Sequence, residues 1–363
     1  MKTDQIQKVH KDWYKLDLSA IVYPTLQRRD FSSVYRLSVL LKEDIDPEIL
    51  QRAVNLTMPR FPTYKAAIRK GVFWRYLEPN DRPGPFVQED VKNPCQPMHF
   101  KGNNRYLVRI YYYRNRIALE AHHSLGDGTG GMCVLQTLTA TYLRLKGHSE
   151  IENGGFVLDI LGIPDPGELE DAYMKYANAK VCPPRPGEKT YRVRGTKEPF
   201  YTLNIIDGIM SVSEVMRVAK SYNATITEYL NSVLLYALMR KQESEWHLKL
   251  RPVKIAMPVN LRRFFPSRTL RNFITMIYPG IDPRLGEYTF EEIVTQVHNY
   301  MRYYLNEKLL RGDITTNAET QRNPFIRIVP LFIKDLVVRQ FYTKIQDKNS
   351  SAGLTNMGAL KVP

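Results

Sequence analysis

Cysteine is scarce in this chain. Its 363 residues include three cysteines, Cys95, Cys133 and Cys182, and they lie far apart. Such spacing gives neither the disulfide framework of a small secreted domain nor a CxxC metal pair. The sequence therefore predicts a protein of a reducing compartment, and we expect a cytoplasmic location.

Long apolar runs are also missing. No stretch approaches the ~20 consecutive apolar residues that a membrane-spanning helix needs. The polar start, MKTDQIQKVHKDWYK, lacks the apolar segment of a secretory signal. Neither an internal repeat nor a low-complexity tract is visible. With 43% hydrophobic and 25% charged residues, the composition is typical of a folded globular protein, and the length suits two domains.

Acidic residues are outnumbered by basic ones. Lys and Arg total 52 against 37 Asp and Glu, a formal net charge of +15. The basic residues are spread along the chain, and no signature of a nucleic-acid-binding module accompanies them, so we expect no nucleic-acid partner. Two interpretations stay open: a solvated basic surface, or an entrance that attracts phosphates.

Apolar periodicity and capping signals predict alternating strands and helices. In the first half, strands are expected over 33–41, 105–113 and 116–122, with the last two forming a hairpin. Asp46, followed by Pro47, predicts a helix start. A second helix is expected from near Gly130 to a stop at Gly147.

A long connection, about 148–199, separates the two halves. It holds one expected helix, near 167–177, and the breaker Cys182–Gly187. The expected elements of the second half are strands near 200–206, 253–259 and 273–278, helices from about 213, 225, 289 and 325, and an extended piece over 354–362. The pattern predicts an α/β protein (α+β, two-layer) in which each half is a mixed sheet with helices.

The most informative stretch is His122–Gly131, which lies between an expected strand and an expected helix. Gly126, Gly128 and Gly131 match GxGxxG, but a dinucleotide site needs a first βαβ unit, and this strand is the second arm of a hairpin. A metal site is disfavoured because neighbouring strand residues such as His122 and His123 point to opposite faces, and we expect no bound metal.

Two interpretations of the histidines remain. Histidines at the end of a strand can be satisfied core residues, and a glycine-rich turn can be only a turn. A histidine that titrates near neutrality can instead accept a proton from a hydroxyl or amine as it attacks an acyl carbon. Glycines beside such a base let substrate and backbone approach closely.

The segment His122–Gly128, HHSLGDG, matches the HHxxxDG motif at every specified position. The chain therefore resembles the superfamily of chloramphenicol acetyltransferase, the condensation domains of nonribosomal peptide synthetases, plant acyl-CoA-dependent acyltransferases and bacterial alcohol acetyltransferases, and the last branch is the most similar. Asn260-Leu261-Arg262 resembles the N-L-R strand of the second domain. Arg271-Asn272-Phe273 resembles the following G-N-F with Arg for Gly, and Thr355–Gly358 resembles the late S-N-x-G strand.

The resemblance implies two related subdomains with a tunnel between them. We expect residues 1–165 to form the first, 166–198 the crossover connection and 199–363 the second. It also implies that His123 is the general base and that His122 is structural. Asp127 would pair with an arginine, for which Arg262 is the first choice.

Further roles follow from the same resemblance. The runners-up as partner of Asp127 are Lys65 and Arg36, and Gly128 would allow close packing beside the tunnel. The residues expected near substrate or oxyanion are Asn272, Thr355 and Asn356. Those expected to contact coenzyme A phosphates are Arg263, Arg268 and Arg271. For all six, an ordinary structural or surface role is an equal alternative. Superfamily members usually continue beyond the late strand, so the chain is expected to be shortened or a fragment.

The sequence thus predicts an acyltransferase that moves an acyl group from a thioester, expected to be acyl-CoA, to a small-molecule alcohol or amine. Acyl-CoA would be a co-substrate, with no tightly bound cofactor and no covalent intermediate. Three alternatives remain: a condensation enzyme that uses an acyl carrier protein, a non-catalytic relative that binds a ligand or partner, and a dinucleotide-dependent oxidoreductase.

Overall fold

The structure is a computed structural model that describes residues 13–28, 31–180, 188–245, 249–344 and 349–360. The strands are β1 (Tyr14–Lys15), β2 (Val34–Leu40), β3 (Ala66–Lys70), β4 (Arg75–Pro79), β5 (Val87–Glu89), β6 (Val108–Tyr113), β7 (Arg116–His122), β8 (Val253–Asn260), β9 (Ile274–Ile277), β10 (Gly280–Ile281) and β11 (Ala352–Gly353). The helices are α1 (Tyr23–Leu26), α2 (Pro47–Thr57), α3 (Gly128–Leu145), α4 (Ala172–Tyr176), α5 (Val212–Ser221), α6 (Ile226–Ser244), α7 (Phe290–Tyr304), α8 (Glu307–Arg322), α9 (Pro324–Ile328) and α10 (Leu331–Lys344).

The first half of the chain builds two sheets. One is antiparallel, in the order β1-β4-β3, and the other is mixed, in the order β2-β7-β6-β5. β7 is antiparallel to both β2 and β6. Its residues Ile117–Ala121 are buried, because α3 and α2 cover the sheet and share one apolar core with it. β7 therefore places His122 and His123, the histidine pair, at the edge of a well-packed core.

The second half builds a sheet around β8. This strand pairs with β10, β9 and β11. Along β8, Val253, Ile255, Met257 and Val259 are buried and alternate with half-buried residues, as expected for a strand with one face on a core. The helices α6 and α7 cover that face.

A third apolar cluster joins the end of β8 to the connecting segment. Leu261, Phe265 and Phe273 pack with Ala172 and Tyr173 of the connection and with residues of α8. Phe273 and Tyr173 meet edge to face, with 5.3 Å between ring centroids. Phe273 belongs to this cluster and also to the segment 272–273, which contacts residues 123–127 after β7. We call residues 123–127 the histidine loop.

The mixed α/β class and most elements agree with the prediction. Asp46 caps α2, and capping boxes at Thr225 and Thr289 begin α6 and α7. Gly147, which follows α3, has φ +110. No helix among the described residues is long and apolar enough to cross a bilayer.

Several element predictions were wrong. The residues 200–206 run without a strand partner, and the helix expected at 325–342 is divided by Pro330 into α9 and α10. A 3-10 turn (Pro166–Leu169) and the short α4 replace the helix expected near 167–177, and α8 was not foreseen. The late strand β11 precedes Leu354. The breaker Cys182–Gly187 and Val362 lie outside the described residues, and the subdomain boundaries stay predictions.

Candidate active site

The histidine pair lies where β7 ends and α3 begins. Because β7 is antiparallel to both of its neighbours, the glycine-rich turn that follows it is not the first βα turn of a parallel sheet. The structure therefore contradicts the dinucleotide interpretation of Gly126, Gly128 and Gly131. Within the described ranges, no group of three His, Cys, Asp or Glu side chains could hold a metal ion.

His122 is fully buried within the first half of the chain. Its ring meets Phe100 edge to face at 5.4 Å, and its Nδ1 accepts a hydrogen bond from the backbone N–H of Ser124 at 3.2 Å. Burial and the neighbouring His123 lower the pKa of His122 to about 3, so the ring is neutral at physiological pH. These contacts fit a structural role for His122.

The His123 ring lies between two tyrosines. It stacks on Tyr23 with 4.7 Å between centroids and an interplanar angle of 19°, and Tyr35 lies 4.6 Å away at a tilt of 47°. The hydroxyl of Tyr35 donates to the carbonyl of Asp127 and lies 3.2 Å from the hydroxyl of Tyr64. The hydroxyl contacts hold Tyr35 in place, and the rings of Tyr23 and Tyr35 then restrict rotation of the imidazole.

The backbone of His123 is held from both halves of the chain. Its N–H donates to the carbonyl of Ser33 at 2.9 Å, and its carbonyl accepts from Nδ2 of Asn272 at 2.8 Å. The same Asn272 nitrogen donates to the buried Asp17 at 3.1 Å, and Asp17 also accepts from the N–H of Ala20. Residues of three distant segments therefore fix the position of His123.

His123 is deprotonated at neutral pH in this environment. Burial lowers its pKa from the ordinary 6.5 to about 4, against the opposing effects of the Asp127 charge and the Gly126 backbone. The residue as a whole is half-buried, and its Nδ1 is buried. A neutral imidazole can accept a proton from an attacking hydroxyl or amine.

Asp127 organises the start of α3. It is the N-cap residue, and its carboxylate accepts from the N–H groups of Thr129 and Gly130 at 3.1 and 3.3 Å. It also accepts from the N–H of Phe273 at 2.9 Å. A buried carboxylate with these donors holds the histidine loop against the second half.

Arg262 pairs with Asp127, with Nη1 2.8 Å from Oδ2. Its remaining donors reach the carbonyls of Thr269 and Arg271 at 2.9 and 2.6 Å. The two other candidates lie elsewhere, since Lys65 is near Asp81 and Arg36 contacts Asp90 and Glu120.

Gly128 packs against the late segment of the chain. A Cβ at Gly128 would lie 3.0 Å from the sulfur of Met357. Met357 therefore crosses the start of α3, directly beside the motif, and the segment after β11 forms part of the surroundings of the histidine loop.

Gly130 yields a prediction, because a Cβ there would lie 1.9 Å from the carbonyl oxygen of Leu270. We expect Gly130→Ala to lower the free energy of unfolding by about 1–3 kcal/mol, since overpacking a tight contact forces backbone shifts. Urea unfolding followed by circular dichroism measures it. Gly208→Ala is the matched control, because nothing lies within 4 Å of that Cβ. If the two variants were equally stable, the close approach of position 130 to the carbonyl of Leu270 would be contradicted.

Two predicted site residues have different roles in the structure. Arg271 is buried, donates to the carbonyls of Lys15 and Leu169, and lies near Asp17, so it was wrong to place it at coenzyme A phosphates. Asn272 is also buried, and its Nδ2 already bonds to Asp17 and His123. It therefore positions the backbone of His123, and its Nδ2 has no donor left for an oxyanion.

The other predicted residues lie on the surface. Arg263 is exposed, and Arg268 is exposed beside Asp165. Thr355 and Asn356 are exposed, and Asn356 donates to the hydroxyl of Thr227 at the start of α6. The segment 354–358 thus joins α6 to the motif through Asn356 and Met357.

The sequence did not reveal Asp17, Tyr23 and Tyr35 as part of the site. Tyr23 lies in an early segment without a motif, and Tyr35 is one of many aromatic residues in expected strands. Their contact with His123 depends on how β2 pairs with β7 and how the early segment crosses the loop. A single sequence offers no signal for such long-range contacts.

Comparison with known proteins gives structural matches alone. No family model matches the chain, and no curated protein sequence matches it. TRI101 of F. sporotrichioides, complexed with coenzyme A and T-2, matches with a TM-score of 0.55 and 12% identity over 96% of this chain and 84% of that one.

Two further solved structures are similar. The starter condensation domain of rhizomide synthetase RzmA, a mutant in complex with C8-CoA, matches at a TM-score of 0.53 and 12% identity over 88% of this chain and 76% of that one. Polyketide synthase associated protein 5 of Mycobacterium tuberculosis matches at 0.53 and 15% identity over 82% and 75%. The chain therefore shares its fold with these solved structures, which include a condensation domain.

Proposed function

We propose that the protein is an acyltransferase that moves an acyl group from a coenzyme A thioester to the hydroxyl or amine of a small molecule. The observation that carries the proposal is the state of His123. Its imidazole is neutral at physiological pH and lies between two tyrosines, and the backbone of His123 is fixed through its N–H and its carbonyl. Those are the properties of a positioned general base.

The reaction needs one base and no covalent enzyme intermediate. His123 takes the proton of the acceptor as its oxygen or nitrogen attacks the thioester carbonyl. The tetrahedral intermediate then collapses, the carbon–sulfur bond breaks, and the imidazolium returns the proton to the departing thiolate. Ser124 is not the nucleophile, because it is fully buried and its hydroxyl donates to the carbonyl of Ala20.

Coenzyme A is favoured as the carrier of the acyl group. Two structurally similar proteins are described as complexes with coenzyme A or C8-CoA, and the net charge of +15 suits a phosphate-bearing donor. The exposed Arg263 and Arg268 are proposed phosphate contacts, and the histidine loop is proposed to face a tunnel between the two halves. We also propose a cytoplasmic location and the alcohol acetyltransferase-like branch.

The deciding experiment measures release of free thiol from acetyl-CoA and longer acyl-CoAs with a panel of alcohols and amines. Turnover by the wild-type chain and by Ser124→Ala, with loss in His123→Ala, would establish the reaction. A parallel reaction with an acyl group on a carrier protein tests the condensation alternative. If a folded wild-type chain turns over no donor of either kind, the proposed activity is wrong.

The pH dependence of kcat/KM provides a prediction. Since the pKa of His123 is lowered to about 4, the base is deprotonated above that pH. We therefore expect no decline of kcat/KM with an apparent pKa near 6.5 when the pH is lowered from about 8 to about 5. Circular dichroism at each pH shows whether a fall in activity comes from protonation of His123 or from unfolding of the chain. An acid limb between about pH 6 and 7 in folded protein would contradict the desolvated state of His123.

Acid unfolding sets the lower limit of that measurement. His122 and His123 have lower pKa values in the folded protein than in the unfolded chain, so protons bind preferentially to the unfolded chain as the pH falls below about 6.5. Their contribution to stability is therefore lost progressively between about pH 6.5 and the folded pKa values of about 4 and about 3.

A further inference from the structure

The helices α9 and α10 present an apolar surface to solvent. On α10 the outward residues Phe332, Ile333, Leu336, Val337 and Phe341 are exposed, with Phe332 74% and Leu336 61% accessible. We call these five residues the apolar face. They recur at spacings of one, three and four, so they lie along one side of the helix.

The inward side of α10 carries two charged residues, Lys334 and Asp335. Asp335 accepts from both terminal nitrogens of Arg75, at 2.7 and 2.5 Å, and from the hydroxyl of Thr25 at 2.8 Å. Lys334 donates to the carbonyls of Phe73 and Arg327 at 2.9 and 3.1 Å. These polar contacts fix the orientation of α10 and leave its apolar face turned outward.

The turn between β3 and β4 extends this surface. The N–H of Leu331 donates to the carbonyl of Val72 at 2.8 Å, so α10 begins against this turn. Val72, Phe73 and Trp74 are exposed there, and we call them the hairpin tip. A tryptophan beside an apolar helix face is typical of surfaces that enter the headgroup region of a bilayer.

The charges around this surface indicate what covers it. Between Pro324 and Tyr342 the exposed charged residues are Arg327 and Arg339, and the single acid, Asp335, is already paired with Arg75. Apolar residues flanked by an excess of positive charge are complementary to lipid tails beneath anionic headgroups. We propose that the apolar face and the hairpin tip dock on the surface of an anionic lipid bilayer.

This docking has a consequence for the site that rests on the proposed function. Thr25, the partner of Asp335, lies two residues after Tyr23, which stacks on His123. A bilayer under α10 would therefore lie near the segment that contacts the base. An amphiphilic alcohol or amine held in the membrane is then a suitable class of acceptor.

The test is co-sedimentation of the full chain with phosphatidylcholine vesicles and with mixed phosphatidylcholine–phosphatidylglycerol vesicles, without acyl donor. We expect binding to the mixed vesicles that weakens with salt. Phe332→Asp and Leu336→Asp should each reduce binding roughly tenfold or more, because each removes a large side chain from the lipid. Leu161→Asp is the matched control, since Leu161 is 87% exposed outside the surface, and its binding should be unchanged.

Brominated lipids give a second readout. They should quench the fluorescence of Trp74, and the quenching should fall in Trp74→Phe. Circular dichroism confirms that each variant is folded. Failure of the wild type to bind mixed vesicles, or equal binding by Leu336→Asp and Leu161→Asp, would overturn the proposal. A dimer that Leu336→Asp dissociates, without vesicle binding, would assign the apolar face to a second copy of the chain. Thiol release from acyl-CoA is measured separately, so failed catalysis and failed docking are distinguishable.

Discussion

Replacing His123 with alanine is expected to lower the rate of acyl transfer by about a hundredfold or more, since general-base catalysis contributes about that much. Among the residues that the structure describes, neither His122 nor Asp127 is placed to act as a substitute base. His122 is fully buried with its Nδ1 bonded to the Ser124 N–H, and Asp127 is bound to Arg262 and three backbone N–H groups. The loss should fall on kcat and not on KM, because the base acts in the transition state.

Ser124→Ala is the control for this substitution. It removes a neighbouring hydroxyl from the same loop, and that hydroxyl makes one long hydrogen bond of 3.4 Å. Thiol release by Ser124→Ala should therefore stay close to that of the wild type. Similar loss in both variants would indicate a damaged loop, and near-normal turnover by His123→Ala would remove His123 from the chemistry.

Local signals in the sequence predicted local structure well. The capping boxes at Thr225 and Thr289 depend on hydrogen bonds between residues three positions apart, so the sequence contains the whole interaction. The hairpin of β6 and β7 was predicted for the same reason. By contrast, residues 200–206 resemble a strand in composition, but a strand needs a partner. This segment instead forms two hydrogen bonds with the side chain of Asn93, through Leu203, and one with Gln96, through Tyr201.

Candidate site residues could be identified from the sequence where they belong to a recognisable motif. His123 and Asp127 stand in a short pattern, and Arg262 follows from the resemblance. Arg271 could not be assigned from sequence, because an arginine on a surface and an arginine buried beside Asp17 look the same in a list of residues. The clamp of Tyr23 and Tyr35 around His123 arises only when distant segments pack together.

Arg262→Ala is expected to lower the free energy of unfolding by about 3–5 kcal/mol, because it leaves the buried carboxylate of Asp127 without its ionic partner. It also removes donors from the carbonyls of Thr269 and Arg271. Arg262→Lys should recover part of the loss, since lysine keeps the charge but lacks the planar fork that reaches several acceptors. Urea unfolding at neutral pH measures both variants.

Arg69→Ala is the matched control. Arg69 and Glu78 form an ion pair in which both side chains are more than a third exposed, so its loss should cost about 1 kcal/mol or less. A double-mutant cycle of Asp127→Ala and Arg262→Ala then isolates the buried pair, and we expect a coupling of about 1–3 kcal/mol. Additive effects would show that the two residues act separately. Coupling together with loss of kcat in folded Arg262→Ala would show that the pair holds the loop that presents His123.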